Sequence, residues 1–209
     1  MSNRVVIVDD TNPNIQYFGP WFAAQNTQLN TNSTRGPPFQ NTLHGVKVNA
    51  SFSYSFSGMY RWLFCFITLS LVFGRFSGSQ ITVLGTSITT NTSGTQDPTW
   101  ECFVDNISIG WNISAGSAAE NSWIFCQNDL LQNGPHVLIV NVTVLHEQTF
   151  WFDELQYLPS SNVSLYNSTV IVYSSDSAVQ YSSGWTELNG NVNLTQTAGS
   201  TLRFQFFDP

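Results

Sequence analysis

Charged side chains are scarce in this sequence. Only 9% of its 209 residues are Asp, Glu, Lys or Arg, whereas globular proteins average roughly 25%. Six Lys and Arg stand against thirteen Asp and Glu, which gives a formal net charge of −7. A chain with so few cations has no positive surface that could displace counterions from a phosphate backbone. Nucleic acid is therefore excluded as a partner.

Motifs of metal centres and hydrolases are also missing. His44, His136 and His146 show neither the H-x-x-x-H nor the H-E-x-x-H spacing, and the three cysteines contain no C-x-x-C pair. No G-x-S-x-G nucleophile elbow is present. We therefore expect no zinc site and no enzymatic activity.

Long helical periods are absent, and short alternating runs take their place. Phe52, Tyr54 and Phe56 alternate with serines, which predicts a strand with one buried and one wet face. Ser, Thr and Asn supply most of the polarity, with 25, 20 and 20 copies. Many short strands with polar turns predict an all-β fold, an antiparallel β-sandwich or jelly roll. The other predicted strands are Arg4–Asp9, Gln80–Leu84, Thr99–Val104, Ile107–Trp111, Trp123–Cys126, Val137–Leu145 and Phe150–Tyr157.

One apolar run interrupts this pattern. Trp62–Phe73 is too short for the roughly 20 residues of a membrane-spanning helix. It is either a membrane-like segment, a buried strand, or part of a foreign insert over residues 59–78. The last interpretation rests on the tripeptide Phe-Ser-Gly, which precedes the apolar run at 56–58 and follows it at 76–78. Codons for its ends can contain splice-site sequences, so we hypothesise a retained intron of twenty codons.

The cysteines and the asparagines indicate an oxidising compartment. Cys102 and Cys126 lie in one stretch of predicted strands and would form a disulfide, with two buried free thiols as the alternative. Asn-x-Ser/Thr sequons acquire glycans only in the secretory pathway. They occur at Asn32, Asn49, Asn91, Asn106, Asn112, Asn141, Asn162, Asn167 and Asn193. The expected location is extracellular or at the cell surface, although no signal peptide is visible.

An internal repeat divides the chain. Val8–Trp21 recurs approximately as Val172–Trp185, with the shared core Gln-Tyr-x-x-Gly/Pro-Trp, and Ala50–Ser57 recurs as Ser200–Phe207. We expect residues 1–160 to form one sandwich domain. Residues 161–209 are expected to form the incomplete start of a second copy.

Two further motifs carry a resemblance to a known family. Leu130–Val142 and Phe150–Tyr157 resemble the L-x-x-G-x-H-x-L-x-V-x-V and F-W-x-D-x-x-x-Y patterns of galactose-binding-like jelly rolls. Together with Val8–Thr11, Ile15–Tyr17, Trp100–Asp105 and Cys126, they make the chain similar to the tandem jelly-roll ectodomains of uncharacterised basidiomycete surface proteins. The resemblance implies a membrane anchor downstream, which could also carry the N-terminus across the membrane.

Several residues are candidates for ligand binding. Some galactose-binding-like modules hold a structural Ca²⁺, for which Asp9 and Asp10 are weak candidates; turn chemistry explains the same residues without a metal. Aromatic rings can pack on the C–H groups of sugars. Tyr17, Trp21, Trp111 and Trp123 are the candidates because they lie near turns, and a packing role in the core is the alternative.

These observations predict a non-enzymatic extracellular module that binds glycan or cell-wall polysaccharide, or is displayed as a surface ectodomain. The first alternative is a structural or adhesive glycoprotein spacer without a small ligand. The second is an accessory protein or hydrolase of cell-wall polysaccharides, which would use acids among Asp9, Asp10, Asp105, Asp153 and Glu154.

Overall fold

A computed structural model describes residues 4–25, 33–58, 79–87, 97–110, 119–146, 148–188 and 192–205. The described residues contain no α-helix, and hence no helix able to cross a membrane. They form sixteen strands and a 3₁₀ turn, Phe39–Asn41. The strands are β1 Val5–Asp9, β2 Gln16–Phe18, β3 Phe22–Gln25, β4 Thr42–Val46, β5 Ala50–Gly58, β6 Ser79–Ser87, β7 Thr99–Val104, β8 Ile107–Gly110, β9 Glu120–Leu131, β10 Gly134–Thr143, β11 Phe150–Tyr157, β12 Thr169–Ile171, β13 Val179–Tyr181, β14 Trp185–Leu188, β15 Val192–Thr195 and β16 Leu202–Phe204.

Two antiparallel sheets form the sandwich. The larger has the order β12-β1-β11-β4-β3, with β6 joining β11 to β9; the five-stranded sheet has the order β2-β5-β10-β7-β8. Alternation places one side of each strand inside: Phe52, Tyr54 and Phe56 of β5 are buried, as Leu138 and Val140 of β10 are. The all-β sandwich expected from the sequence is therefore confirmed.

The predicted disulfide is present and joins the two sheets. Cys102 lies on β7 of the five-stranded sheet and Cys126 on β9 of the larger sheet, and both are buried in the core. Around them pack aromatic rings, among them Trp100, Phe125 and Phe150, whose centroids lie 4.5 to 5.6 Å apart. The bond therefore ties the two layers together inside the hydrophobic core.

The strand predictions differ from the structure in length and in number. β9 is longer than expected at both ends, β10 begins and ends earlier than expected, and β2, β3 and β4 have no predicted counterpart. Trp111, the expected end of β8, lies outside the described residues. Paired neighbours extend each strand beyond its most apolar residues, since ladder hydrogen bonds do not require an apolar side chain. The insert at 59–78 lies outside the described residues, so its three interpretations stay hypotheses.

The second copy reproduces the turn of the first. In the first, the hydroxyl of Tyr17 donates to the carbonyl of Asp10 at 2.7 Å. In the second, 164 residues later, the hydroxyl of Tyr181 donates to the carbonyl of Ser174 at 3.1 Å. The backbone hydrogen bonds within the two turns also correspond. Asn12 N donates to Asp9 O in the first copy as Asp176 N donates to Tyr173 O in the second, both at 2.9 Å. Ile15 N donates to Asn12 O at 3.0 Å as Val179 N donates to Asp176 O at 2.9 Å.

The correspondence extends to the next strand. Trp21 Nε1 donates to Ser51 O at 3.0 Å, and Trp185 Nε1 donates to Thr201 O at 3.1 Å. The Tyr and Trp ring centroids lie 5.1 Å apart in the first copy and 5.0 Å apart in the second. β2 pairs with β5 as β13 pairs with β16, so that Phe52 corresponds to Leu202.

The two copies meet through their first strands. β1 and β12 pair antiparallel, and Val6 lies opposite Val170, its own counterpart. The flanking pairs cross over, Val5 with Ile171 and Ile7 with Thr169, which is the pattern of a local two-fold axis. Arg4 reinforces the contact, because its Nε donates to Asp176 at 3.1 Å.

Candidate functional site

A discontinuity in the pairing of β11 coincides with two buried carboxyl groups. One edge of β11 pairs with β6 over residues 151–157, and the other pairs first with β4 over residues 150–152 and then with β1 over residues 154–157. Asp153 falls between these two partners, where the register against β6 also shifts in a β-bulge. Asp153 and Glu154 are both buried. The bulge thus accompanies the burial of two adjacent carboxyl groups between the core residues Phe152 and Leu155.

The end of β1 adds two more acids to this point. Asp10 is 0% exposed; its Oδ2 lies 2.6 Å from His44 Nδ1, and its Oδ1 accepts from Thr42 Oγ1 at 2.6 Å. Asp9 accepts hydrogen bonds from the backbone and the hydroxyl of Thr11. Asp9 also lies opposite Glu154 in the β1–β11 ladder. We call Asp9, Asp10, His44, Asp153 and Glu154 the acidic cluster.

Burial dominates the protonation of the cluster. The pKa of Asp153 rises from its ordinary 3.8 to about 8: burial is the main cause, the hydrogen bond from the Phe39 backbone lowers it, and the nearby carboxyls of Glu154, Asp10 and Asp9 raise it. Burial is likewise the main cause of raised pKa values at Asp9 and Glu154. Asp153 is therefore largely protonated at neutral pH, which limits the charge that the interior must hold.

The side chains of the acidic cluster bond to one another and to neighbouring residues of the chain. In the described part of the chain, His44 is the one basic side chain paired with these acids. Both carboxyl oxygens of Asp153 accept from Phe39 N, at 3.0 and 3.2 Å, and Asp153 is 1% exposed. Among the described residues, no three acidic, histidine or cysteine side chains converge as metal ligands. Asp9 bonds to Thr11 in the turn, and Asp10 bonds to Thr42 and His44 of β4.

Tyr17 and Trp21, two of the predicted ligand-binding rings, lie together beside the cluster. Their polar atoms are committed to backbone carbonyls, as described above. Tyr17 stacks on the His44 ring with centroids 4.5 Å apart, and Trp21 meets Phe52 and Phe150 edge to face. Both rings pack against the core. Their contacts connect the β1–β2 turn to β5, and their role in sugar binding stays a prediction.

Because the two turns correspond, the contribution of the tyrosine hydroxyl bond to the free energy of unfolding can be measured twice in one molecule. We expect Tyr17→Phe to lower the free energy of unfolding by about 1 kcal/mol, because a buried hydroxyl bond to a carbonyl is lost. Tyr181→Phe should lower the free energy of global unfolding by a smaller amount, since Tyr181 belongs to the less buried second copy. Urea unfolding followed by tryptophan fluorescence measures both; equal losses would contradict this difference.

The other two candidate rings are placed differently. Trp123 lies on β9, partly buried, with the Arg35 guanidinium 5.1 Å from its ring centroid. Among the described residues, its buried Nε1 has no hydrogen-bond partner. Trp111 lies outside the described residues. Sugar binding at Trp123 and Trp111 therefore stays a prediction.

Asp105, the remaining acid of the hydrolase alternative, belongs to the other sheet. It follows β7, and its Oδ2 lies 2.7 Å from His136 Nδ1 while its Oδ1 accepts from Val137 N at 2.9 Å. Burial raises its pKa, but the hydrogen bonds from His136 and from Val137 N, together with the electrostatic attraction of His136, outweigh burial and lower it. His136 Nε2 lies 2.6 Å from the carbonyl of Gln132. These contacts tie β7 to the start of β10.

Most described sequon asparagines are accessible. Asn49, Asn106, Asn141, Asn162 and Asn167 are exposed, and Asn193 is partly exposed. The side-chain oxygen of Asn49 accepts from Val144 N, which leaves its nitrogen available. Asn32, Asn91 and Asn112 lie outside the described residues.

The acidic cluster itself was not predicted as a unit. His44 carries no motif spacing, and it is 34 residues from Asp10 in the chain. Only the pairing of β11 with both β1 and β4 brings them together. Thr42 and His44, two positions apart on β4, could have indicated a polar lining, but nothing in that strand specifies Asp10 as the partner.

Comparisons with known proteins find partial structural overlap and no relatives. No family model matches the chain, and no curated protein matches it. Among solved structures, the chain is similar to the catalytic domain of a GH87 α-1,3-glucanase, in complexes with tetrasaccharides (10% identity, TM-score 0.39) and with nigerose (11% identity, TM-score 0.40). The match covers 76% of this chain and 28% of the glucanase chain. Likeness at this level does not place a ligand on this chain.

Proposed function

We propose that this protein is a non-enzymatic extracellular β-sandwich module that binds glycan. The oxidised Cys102–Cys126 pair supports the extracellular part, because disulfides persist in oxidising compartments. Exposed sequon asparagines agree with passage through the secretory pathway.

The outer face of the five-stranded sheet carries the glycan-binding part of the proposal. On β5 the outward residues are serines, and Ser53 and Ser55 lie opposite Ile139 and Val137 of β10. Ile139 is also paired with Phe103 of β7. Hydroxyl groups beside apolar and aromatic side chains match the hydroxyl and C–H surfaces of a sugar. We call these five residues the serine face.

Burial of Asp9, Asp10, Asp153 and Glu154 is why the proposal excludes catalysis; the exposed Asp105 is bonded to His136 and to Val137 N. A general acid or nucleophile must reach the scissile bond. Asp153 is bonded through both oxygens to the chain itself, and Asp10 is fully buried. Hydrolysis of a cell-wall polysaccharide that disappears in Asp153→Asn would overturn this part.

A glycan array and thermal-shift titrations test the binding face. We expect Ile139→Asp to abolish sugar binding, because a carboxylate there places an unpaired charge at the apolar contact. Val48→Asp is the matched control, since Val48 is exposed in the loop between β4 and β5. Sugar binding that survives Ile139→Asp would contradict the assignment of this face.

Asn141 separates this proposal from the spacer alternative. It lies on β10, outward and opposite Ser51. A glycan on Asn141 would cover the serine face, which favours a glycosylated spacer. We therefore expect Asn141 to be unoccupied in protein secreted by a eukaryotic host, as measured by peptide mass spectrometry. Full occupancy together with an array without hits would contradict glycan binding.

A further inference from the structure

The second copy exposes the apolar side chains that the first copy buries. Phe52 is 0% exposed, but its counterpart Leu202 is 52% exposed. Val6 and Val8 are buried, whereas Val170 and Val172 are only partly buried. Because the hydrogen bonds of the two copies correspond, this difference lies in what covers each copy and not in how each is folded.

In the first copy, one strand covers both the edge and the face. The backbone of β11 pairs with β1, Leu155 opposite Val8 and Tyr157 opposite Val6. Further along the same strand, Phe152 packs on Phe52 with ring centroids 4.4 Å apart. The same ring lies 6.5 Å from that of Tyr17. β11 is therefore the strand that completes the repeated unit.

The corresponding edge of the second copy is open in the described residues. Among the described strands, β12, the counterpart of β1, is the last of the larger sheet and pairs with β1 alone. Tyr181, Trp185 and the exposed Leu202 are the counterparts of Tyr17, Trp21 and Phe52, the rings that β11 contacts through Phe150 and Phe152 in the first copy. We call the open edge of β12 and these three side chains the acceptor surface.

We propose that the acceptor surface binds an extended strand of another protein by β-augmentation. Unpaired backbone groups at a sheet edge give such binding its affinity, and pockets for alternate side chains give it specificity. The first copy specifies the partner's chemistry: a strand antiparallel to β12, with a leucine-sized side chain opposite Val172 and an aromatic one opposite Val170. An aromatic residue three positions before the leucine would cover Leu202, as Phe152 covers Phe52.

The segment Phe150–Tyr157 itself supplies the probe. A synthetic peptide of these eight residues, with two C-terminal lysines for solubility and a fluorescein label, is titrated with the full chain and followed by fluorescence anisotropy. We expect saturable binding. A second peptide, with serine in place of Phe152, Leu155 and Tyr157, should bind at least tenfold more weakly because it lacks the side chains that fill the face.

Two variants of the chain locate the binding. Leu202→Asp should weaken the peptide's affinity at least tenfold, and Leu202→Ser should weaken it in the same direction with less risk to folding. Ile107→Asp is the matched control, since Ile107 is 71% exposed on β8, in the five-stranded sheet of the first copy. That variant should bind the peptide as the parent does.

Three results would overturn the proposal. These are the absence of peptide binding, equal affinity for the serine-substituted peptide, and equal affinity in both Leu202 variants. Light scattering on the chain alone provides a further test. A dimer that both Leu202→Asp and an excess of the peptide convert to a monomer would assign the acceptor surface to a second copy of this chain instead.

Discussion

Removal of the Cys102–Cys126 disulfide is expected to lower the free energy of unfolding by about 3 to 4 kcal/mol. The bond closes a loop with a sequence separation of 24, and loops of this size lose about that much conformational entropy in the unfolded chain. The bond also joins the two sheets through buried sulfurs, so its loss weakens contact between the layers. The experiment compares thermal unfolding of the parent and of the double variant Cys102→Ala, Cys126→Ala.

Reductant provides the control for this comparison. Dithiothreitol should lower the melting temperature of the parent toward that of the double variant, and it should leave the double variant itself unchanged. A double variant as stable as the oxidised parent would show that the sandwich does not depend on this cross-link.

Replacement of Asp153 by asparagine is expected to stabilise the protein at pH 8 and above. The folded-state pKa of Asp153 is raised, so between about pH 4 and pH 8 the folded state binds more protons than the unfolded state. The parent's free energy of unfolding therefore falls as the pH rises through this window and then levels off. The difference between the two pKa values sets an upper limit of about 6 kcal/mol. Asparagine stays neutral and can still accept from Phe39 N.

Urea unfolding at pH 4, 6, 8 and 9 measures this effect. Asp153→Asn should match the parent most closely at pH 4 and exceed it most at pH 9. Asp129→Asn is the matched control, because Asp129 is exposed on β9. A gain at pH 4 as large as the gain at pH 9 would mean that the variant acts through packing rather than through ionisation.

The internal repeat shows that the acids are not needed to form the turn. Asp9 and Asp10 correspond to Tyr173 and Ser174, yet the tyrosine bond and the backbone bonds of the turn are present in both copies. The reason is that the tyrosine hydroxyl binds a carbonyl, which every residue carries. The carboxyls of the acidic cluster are therefore a property of the first copy, and their burial is a cost that the repeated turn does not require.

Much of the fold could be predicted from local pattern. Alternation in Ala50–Ser57 gives the buried face of β5, and the repeated Gln-Tyr-x-x-Gly/Pro-Trp core gives the equivalent turns. Cys102 could be paired with Cys126 because few cysteines offered alternatives. These inferences succeed because side-chain periodicity and turn chemistry act over a few residues.

Tertiary structure alone decided the rest. The sequence by itself determined an all-β chain, poor in cations, with a disulfide and a repeated turn. It did not determine that β11 pairs with both β1 and β4 along one edge. It also did not determine that two neighbouring acids are buried at a bulge beside His44. Nor did it show that Tyr17 and Trp21 bind backbone carbonyls, or that the second copy leaves Leu202 exposed. Each of these depends on which strands become neighbours, and strand pairing joins residues whose separation in the chain carries no local signal.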